Sequence, residues 1–121
     1  YYNKIKSPLI IPYKRFSERV KNSLRSISIR DFGIEVRKGT FKFEKTSCVI
    51  PNSLAFSYAL GVVNSGNAKK IYIAGFDGYK KGDIKKVNMD QTLKIYNSSK
   101  KDKCKIYSLT KTTYKVIKSY L

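Results

Sequence analysis

The sequence predicts an α/β domain built on a mostly parallel sheet, and three observations carry that prediction. The stretch from Pro51 to Tyr79 reads as a helix, a short turn, a buried strand and a glycine-flanked carboxylate at the strand's C-terminal end. A second helical pattern over 84–98 is followed by a second strand pattern over 104–109. Strands that alternate with helices pair in parallel through crossover connections. Between Ser26 and Ile50 the pattern changes to period two, as in an antiparallel hairpin insertion beside that sheet. The 121 residues have room for one domain, with 26–50 as the insertion and 51–121 as the core.

Each element has its own signal. Leu9-Ile10-Ile11, bounded by Pro8 and Pro12, reads as a short strand. It stops at Pro12 or lies at an edge, because proline has no N–H for a ladder. Over 14–24, Phe16, Val20 and Leu24 stand four apart, as in a short helix. Ile27 and Ile29, with Asp31 continuing the spacing, then Ile34 and Val36, Phe41 and Phe43, and Cys48 to Ile50 give the alternating strands. Asp31-Phe32-Gly33 and Lys38-Gly39-Thr40 supply the turns between them. Asn52 or Ser53 caps the next helix, since a short polar side chain can accept from a free first-turn N–H. Leu54, Tyr58, Ala59, Val62 and Val63 form its apolar face, and Gly66 ends it in the left-handed conformation. Ile71 to Ala74 is a nearly continuous apolar run, as in a strand covered on both faces. Lys81-Gly82-Asp83 gives a turn and an N-cap for a helix over 84–98, with Met89, Leu93 and Tyr96 on its inner side. A polar turn at 97–102 leads into the strand at 104–109, and Tyr114 to Leu121 reads as a last short helix.

Composition narrows the function. The formal net charge is +18, but 21 of the 26 basic residues are Lys and only five are Arg. Arginine is the side chain suited to bidentate recognition of phosphates and bases. The lysines are scattered, with pairs mostly at element ends. They read as a solvated surface or as a polyanion-binding face, and no sequence-specific nucleic-acid contact is expected. No histidine is present, so a histidine-based triad is excluded within this chain. Zinc-ligand spacing and phosphate-loop or dinucleotide fingerprints are absent too, so no metal or other cofactor is expected in these residues. Cys48 and Cys104 are isolated and read as small buried hydrophobes, a disulfide between them being the alternative. No apolar stretch approaches the roughly 18 residues of a membrane span. The start, YYNKIKSPLI, has neither an initiator methionine nor a signal-peptide pattern, which suggests the C-terminal piece of a longer, cytoplasmic protein.

In open α/β sheets ligands sit beyond the carboxyl ends of the strands, so the candidate site is the rim where strands 71–74 and 104–109 end. Gly75, Asp77, Gly78 and Tyr79 follow the first, Thr110 and Thr113 follow the second, and Asn52 and Ser53 open the helix that precedes the first. A helix N-terminus offers N–H groups and positive potential to a phosphate or carboxylate. Asp77 can accept from sugar hydroxyls, although Asp-Gly is also a plain turn signal. Asn52, Ser53 and the threonines serve equally well as caps, and Tyr79 and Tyr114 as rim packing.

The segments Asn52-Ser53-Leu54-Ala55, Lys70 to Tyr79 (KIYIAGFDGY), Asn88-Met89-Asp90, Ser108-Leu109-Thr110 and Thr113-Tyr114-Lys115 resemble the C-terminal domain of certain bacterial proteins. Those proteins carry an aldolase-like barrel of the HMG-CoA-lyase type, of the kind labelled 4-hydroxy-2-oxovalerate aldolase-like, and belong to surface-polysaccharide gene clusters. The resemblance covers about residues 48–117, and IYIAGFDGY is its most specific part. More distantly, the helix–strand–GxDxY unit resembles Rossmann-like bacterial sialyltransferases that use CMP-sialic acid. The resemblance implies a Rossmann-like three-layer sandwich that binds a nucleotide sugar or anionic sugar, with an upstream barrel of the same chain as partner. A sialyltransferase of that kind uses a histidine base, which this chain lacks. Binding is therefore expected rather than catalysis. An interaction or oligomerisation module, or a glycosyltransferase-like domain, is the alternative.

Overall fold

The computed structural model describes residues 6–99 and 104–120, which form eight short strands and three α-helices. In chain order these are β1 (Leu9–Ile11), α1 (Glu18–Ser23), β2 (Ile29–Asp31), β3 (Gly33–Val36), β4 (Lys42–Phe43), β5 (Ser47–Ile50), α2 (Ala55–Ser65), β6 (Lys70–Ile73), α3 (Ile84–Ser98), β7 (Lys105–Ser108) and β8 (Ile117–Lys118). A single 3-10 turn, Tyr13–Arg15, starts after Pro12 ends β1. The class is α/β with predominantly parallel pairing.

The strands make three small sheets, ordered β1-β2, β3-β5-β4 and β6-β7-β8. The strands of the expected core, 51–121, stay in one parallel sheet, β6-β7-β8, whereas those of 26–50 fall into the two others. The reading of 26–50 as antiparallel throughout is corrected. β2 runs parallel to β1 and β3 parallel to β5, and only β4 runs antiparallel to β5. After β3 the chain turns at Gly39 (φ 73°), forms β4 and reverses again into β5. Two reversals restore the direction of β3.

The expected terminal helix is replaced by β8, which pairs Ile117 with Tyr107 and Lys118 with Ser108. Eight residues make barely two helical turns, a length at which a helix has little stability of its own. The free edge of β7 offers ladder bonds instead. Leu121, the last residue of the expected helix, and 100–102 of the expected polar turn lie outside the described residues.

One buried cluster ties the two three-stranded sheets together. Phe32, Phe41, Cys48 and Ile50 come from the first half of the chain, Leu60 from α2, and Ile73, Met89, Leu93, Tyr96, Ile106 and Tyr114 from the second half. Helix α3 occupies its expected range, with Asp83 accepting a hydrogen bond from Lys85 N at 2.8 Å and Met89, Leu93 and Tyr96 buried. Of the apolar face expected for α2, Leu54, Tyr58 and Val62 pack half-buried against the cluster, and the most deeply buried residues lie beside them. Ser57, Leu60 and Gly61 are its buried residues, while Ala59 is exposed. Small side chains let α2 lie close on β5. Its end also differs: Gly66 has φ −79°, and Asn67 takes the left-handed conformation at φ 56°. Asn67 N donates to Asn64 O and Ala68 N to Val63 O, each at 3.0 Å, the two bonds of a Schellman ending.

The two cysteines are free and buried, as small hydrophobes. Tyr96 is a buried junction: its hydroxyl donates to Cys104 O at 2.7 Å and accepts from Asn64 Nδ2 at 3.0 Å. Cys104 N donates to Asn64 Oδ1 at 3.1 Å, so the end of α2, the end of α3 and the entry to β7 share one set of bonds. Burial pushes the Tyr96 hydroxyl up to about 12. No helix among the described residues is long and apolar enough to cross a membrane.

Candidate functional site

The parallel register of β6 and β7 brings Lys70 opposite Lys105 and Ile73 opposite Ser108, so both strands end on one rim. The loops that follow are stitched together. Gly75 N donates to Thr110 Oγ1 at 2.9 Å, and Thr113 N donates to Asp77 O at 2.9 Å. Gly75 and Gly78 stand at φ 73° and 111°, backbone that favours glycine. A Cβ on Gly78 would sit 2.0 Å from Thr113 Oγ1. The loops meet this closely only because position 78 has no side chain.

Between this rim and the start of α2 lies a cleft of about 540 Å³. Gly75, Phe76, Asp77, Gly78 and Tyr79 form one wall, Leu54, Ala55 and Phe56 the second, and Met89 and Tyr114 complete it. Phe56 and Phe76 hold the walls together, their ring centroids 5.1 Å apart. The volume lies within the range of small-molecule sites, which are mostly apolar with a few polar groups. Helix α2 starts there without a side-chain cap and without an acidic residue in its first turn. The positive end of its backbone dipole is therefore left uncompensated at the cleft.

Two lysines of α3 stand beside aromatic residues of the lining. Lys85 Nζ lies 5.6 Å from the centre of the Tyr79 ring, and Lys86 Nζ lies 5.4 Å from that of Tyr114. Lys86 pairs with Asp90 at 3.0 Å. Asp77 is the one carboxylate among the lining residues, and it is exposed. Burial pushes the Tyr114 hydroxyl up, while the backbone of Tyr79 beside it pulls the other way. At neutral pH that phenol keeps its proton and is no base. Among the described residues no three His, Cys, Asp or Glu side chains gather as a metal site. The cleft is thus lined by aromatic side chains, with the first N–H groups of α2 and two lysines at its edge.

Of the residues expected at the site, Gly75, Asp77, Gly78 and Tyr79 line the cleft, and Thr110 and Thr113 brace its loops. Asn52 and Ser53 are placed differently. The helix begins at Ala55 with Leu54 as N-cap, so neither residue caps it. Asn52 turns into the protein, where Oδ1 accepts from Ser57 Oγ at 2.8 Å and from Leu54 N at 3.2 Å. Its Nδ2 donates to Thr92 Oγ1 at 2.7 Å, which locks the loop before α2 to α3. Ser53 is exposed and does not line the cleft. Sequence reasoning missed Phe56, Met89, Lys85 and Lys86 as residues of the site. Phe56 had a usable signal, since an aromatic off the apolar stripe in a helix's first turn needs another surface to cover it. Comparison of the chain with protein-family models, curated proteins and solved structures finds no match.

Proposed function

We propose that the chain is a Rossmann-like binding domain for a nucleotide sugar or a similar anionic sugar, and that it serves surface-glycan biosynthesis beside an aldolase-like barrel. The observation that carries the binding part is the cleft itself, which joins three kinds of group at the ends of two parallel strands. Phe56, Phe76 and Tyr79 offer faces for a base or a sugar ring. The uncapped start of α2 suits a phosphate. Asp77 accepts from sugar hydroxyls. The role is holding rather than transforming: the one carboxylate is exposed, the buried phenol stays protonated, and no histidine is present. The glycan setting rests on the resemblance carried by Ile71 to Tyr79.

Thermal melting with CMP, a CMP-sugar and inorganic phosphate tests the reading. A nucleotide sugar at a hundredfold excess over its Kd raises Tm by roughly 10 °C. Asp77→Asn and Tyr79→Ala, both at exposed positions, remove most of that rise while leaving the unliganded Tm within about 2 °C of wild type. A Tm unmoved by every nucleotide and sugar phosphate sinks the proposal.

A further inference from the structure

The run from Ile71 to Ala74 reads as a strand covered on both faces, yet the outer face of the β6-β7-β8 sheet is bare among the described residues. Residues 71 and 73 turn inward with Ile106 and Ser108; residues 70, 72, 105 and 107 alternate to the other side. Tyr72 stands opposite Tyr107, and Tyr107 opposite Ile117, which makes one row across three strands. Tyr72 is 55% exposed and Ile117 44%, with Tyr107 half-buried between them. The two tyrosine rings lie 5.4 Å apart with 32° between their planes. Lys70 lies opposite Lys105 one step along the same face, and Lys70 Nζ is 5.8 Å from the centre of the Tyr107 ring.

The charge of this surface is of one sign. The register places Lys70 and Lys105 on this face, and residues 69–76 and 104–120 contain no Asp or Glu. A face meant for an ordinary apolar partner would exclude lysines from its centre, because desolvating an unpaired ammonium is costly. Paired aromatic faces bordered by ammonium groups match a chain whose repeating unit is a flat ring joined to a phosphate. We infer that the outer face of β6-β7-β8 binds single-stranded nucleic acid without sequence preference, with bases stacked on Tyr72 and Tyr107 and phosphates held by Lys70 and Lys105. Parallel sheets bury both faces when helices cover them. Here the uncovered face carries the side chains of a stacking platform. This surface is separate from the cleft at the strand ends.

Fluorescence anisotropy with a labelled single-stranded oligonucleotide of about 20 residues tests it, with duplex DNA and inorganic polyphosphate as competitors. The single strand binds more tightly than duplex or polyphosphate. Tyr72→Ser and Tyr107→Ser each weaken it by about 10-fold, the size of one lost base stack. Lys70→Gln and Lys105→Gln each reduce the slope of log affinity against log salt by about 0.7. Asp77→Asn, in the cleft, leaves oligonucleotide affinity unchanged, so failure here and failure of the cleft reading are distinct results. Equal affinity for polyphosphate and oligonucleotide overturns the inference, as does tyrosine-independent binding by serine variants with wild-type circular dichroism. Sedimentation that shows a dimer broken by Tyr72→Ser, with no oligonucleotide bound, overturns it in favour of a second copy of the chain on this face.

Discussion

Gly61 sits where α2 crosses β5, and a Cβ there would stand 2.5 Å from Cys48 Sγ and 2.8 Å from Cys48 Cβ. Alanine is the better helix former by about 1 kcal/mol, but overpacking a tight contact costs about 1–3 kcal/mol. Cys48 is itself buried and belongs to a central strand, so neither side can yield cheaply. The second effect wins. Gly61→Ala lowers stability by a net amount on the order of 1 kcal/mol, read as a lower urea midpoint with unchanged m; a higher midpoint would show that α2 can lift from the sheet at no cost. Residues of this kind were poorly legible in the sequence, since Gly61 and Ser57 break an apolar stripe and matter by what they lack. Asn52 was misread for a related reason. Short polar side chains suit caps, turns and buried junctions equally, and only the position of Thr92 decides among them.

At the level of elements, the N-terminus of α3 shows how local chemistry fixes a boundary. Gly82, at φ 91°, turns the chain, and the Asp83 carboxylate takes up the Lys85 N–H. The first turn carries two lysines and no acid, so Asp83 is also the charge that offsets the helix dipole there. Asp83→Ala costs about 1 kcal/mol, measured by chemical denaturation, whereas Asp83→Ser keeps most of the stability. If Asp83→Ala has no effect, the turn at Gly82 and not the cap sets the boundary. Helix α3 was legible because cap, turn and spacing all lie within neighbouring residues. Strand β8 was not, because two residues carry no period and their pairing with β7 comes from the tertiary fold. The rim was legible for the same reason as α3, in that strand ends and their glycines are local features. The aromatic walls were not, since Phe56 and Phe76 meet only when α2 and β6 are in place.

At the scale of the whole molecule, the surplus of positive charge is the dominant electrostatic fact. Five ion pairs are formed among the described residues, Lys14–Asp31, Lys21–Glu18, Arg37–Glu35, Lys42–Glu44 and Lys86–Asp90. Exposed pairs of this sort contribute little, and they leave most of the 26 basic residues repelling one another. Salt shortens the reach of that repulsion from about 30 Å at 0.01 M to about 8 Å at 0.15 M. The urea midpoint therefore rises as sodium chloride is raised across that interval. A falling midpoint would mean that the five pairs outweigh the repulsion. The class of the fold was legible at this scale, because the order of helices and strands is written in sequence. The division into three sheets was not, since it depends on which strands meet across long separations.

The bond from Gly75 N to Thr110 Oγ1 spans 35 residues of sequence. Four of the five strand pairings are parallel and bring together segments that are not joined by a tight turn. During folding, the chain must therefore close long loops before most ladder bonds can form. A chain of this topology folds more slowly than a helical bundle of the same length. Its strands also wait unpaired, and therefore open to association, for as long as that closure takes.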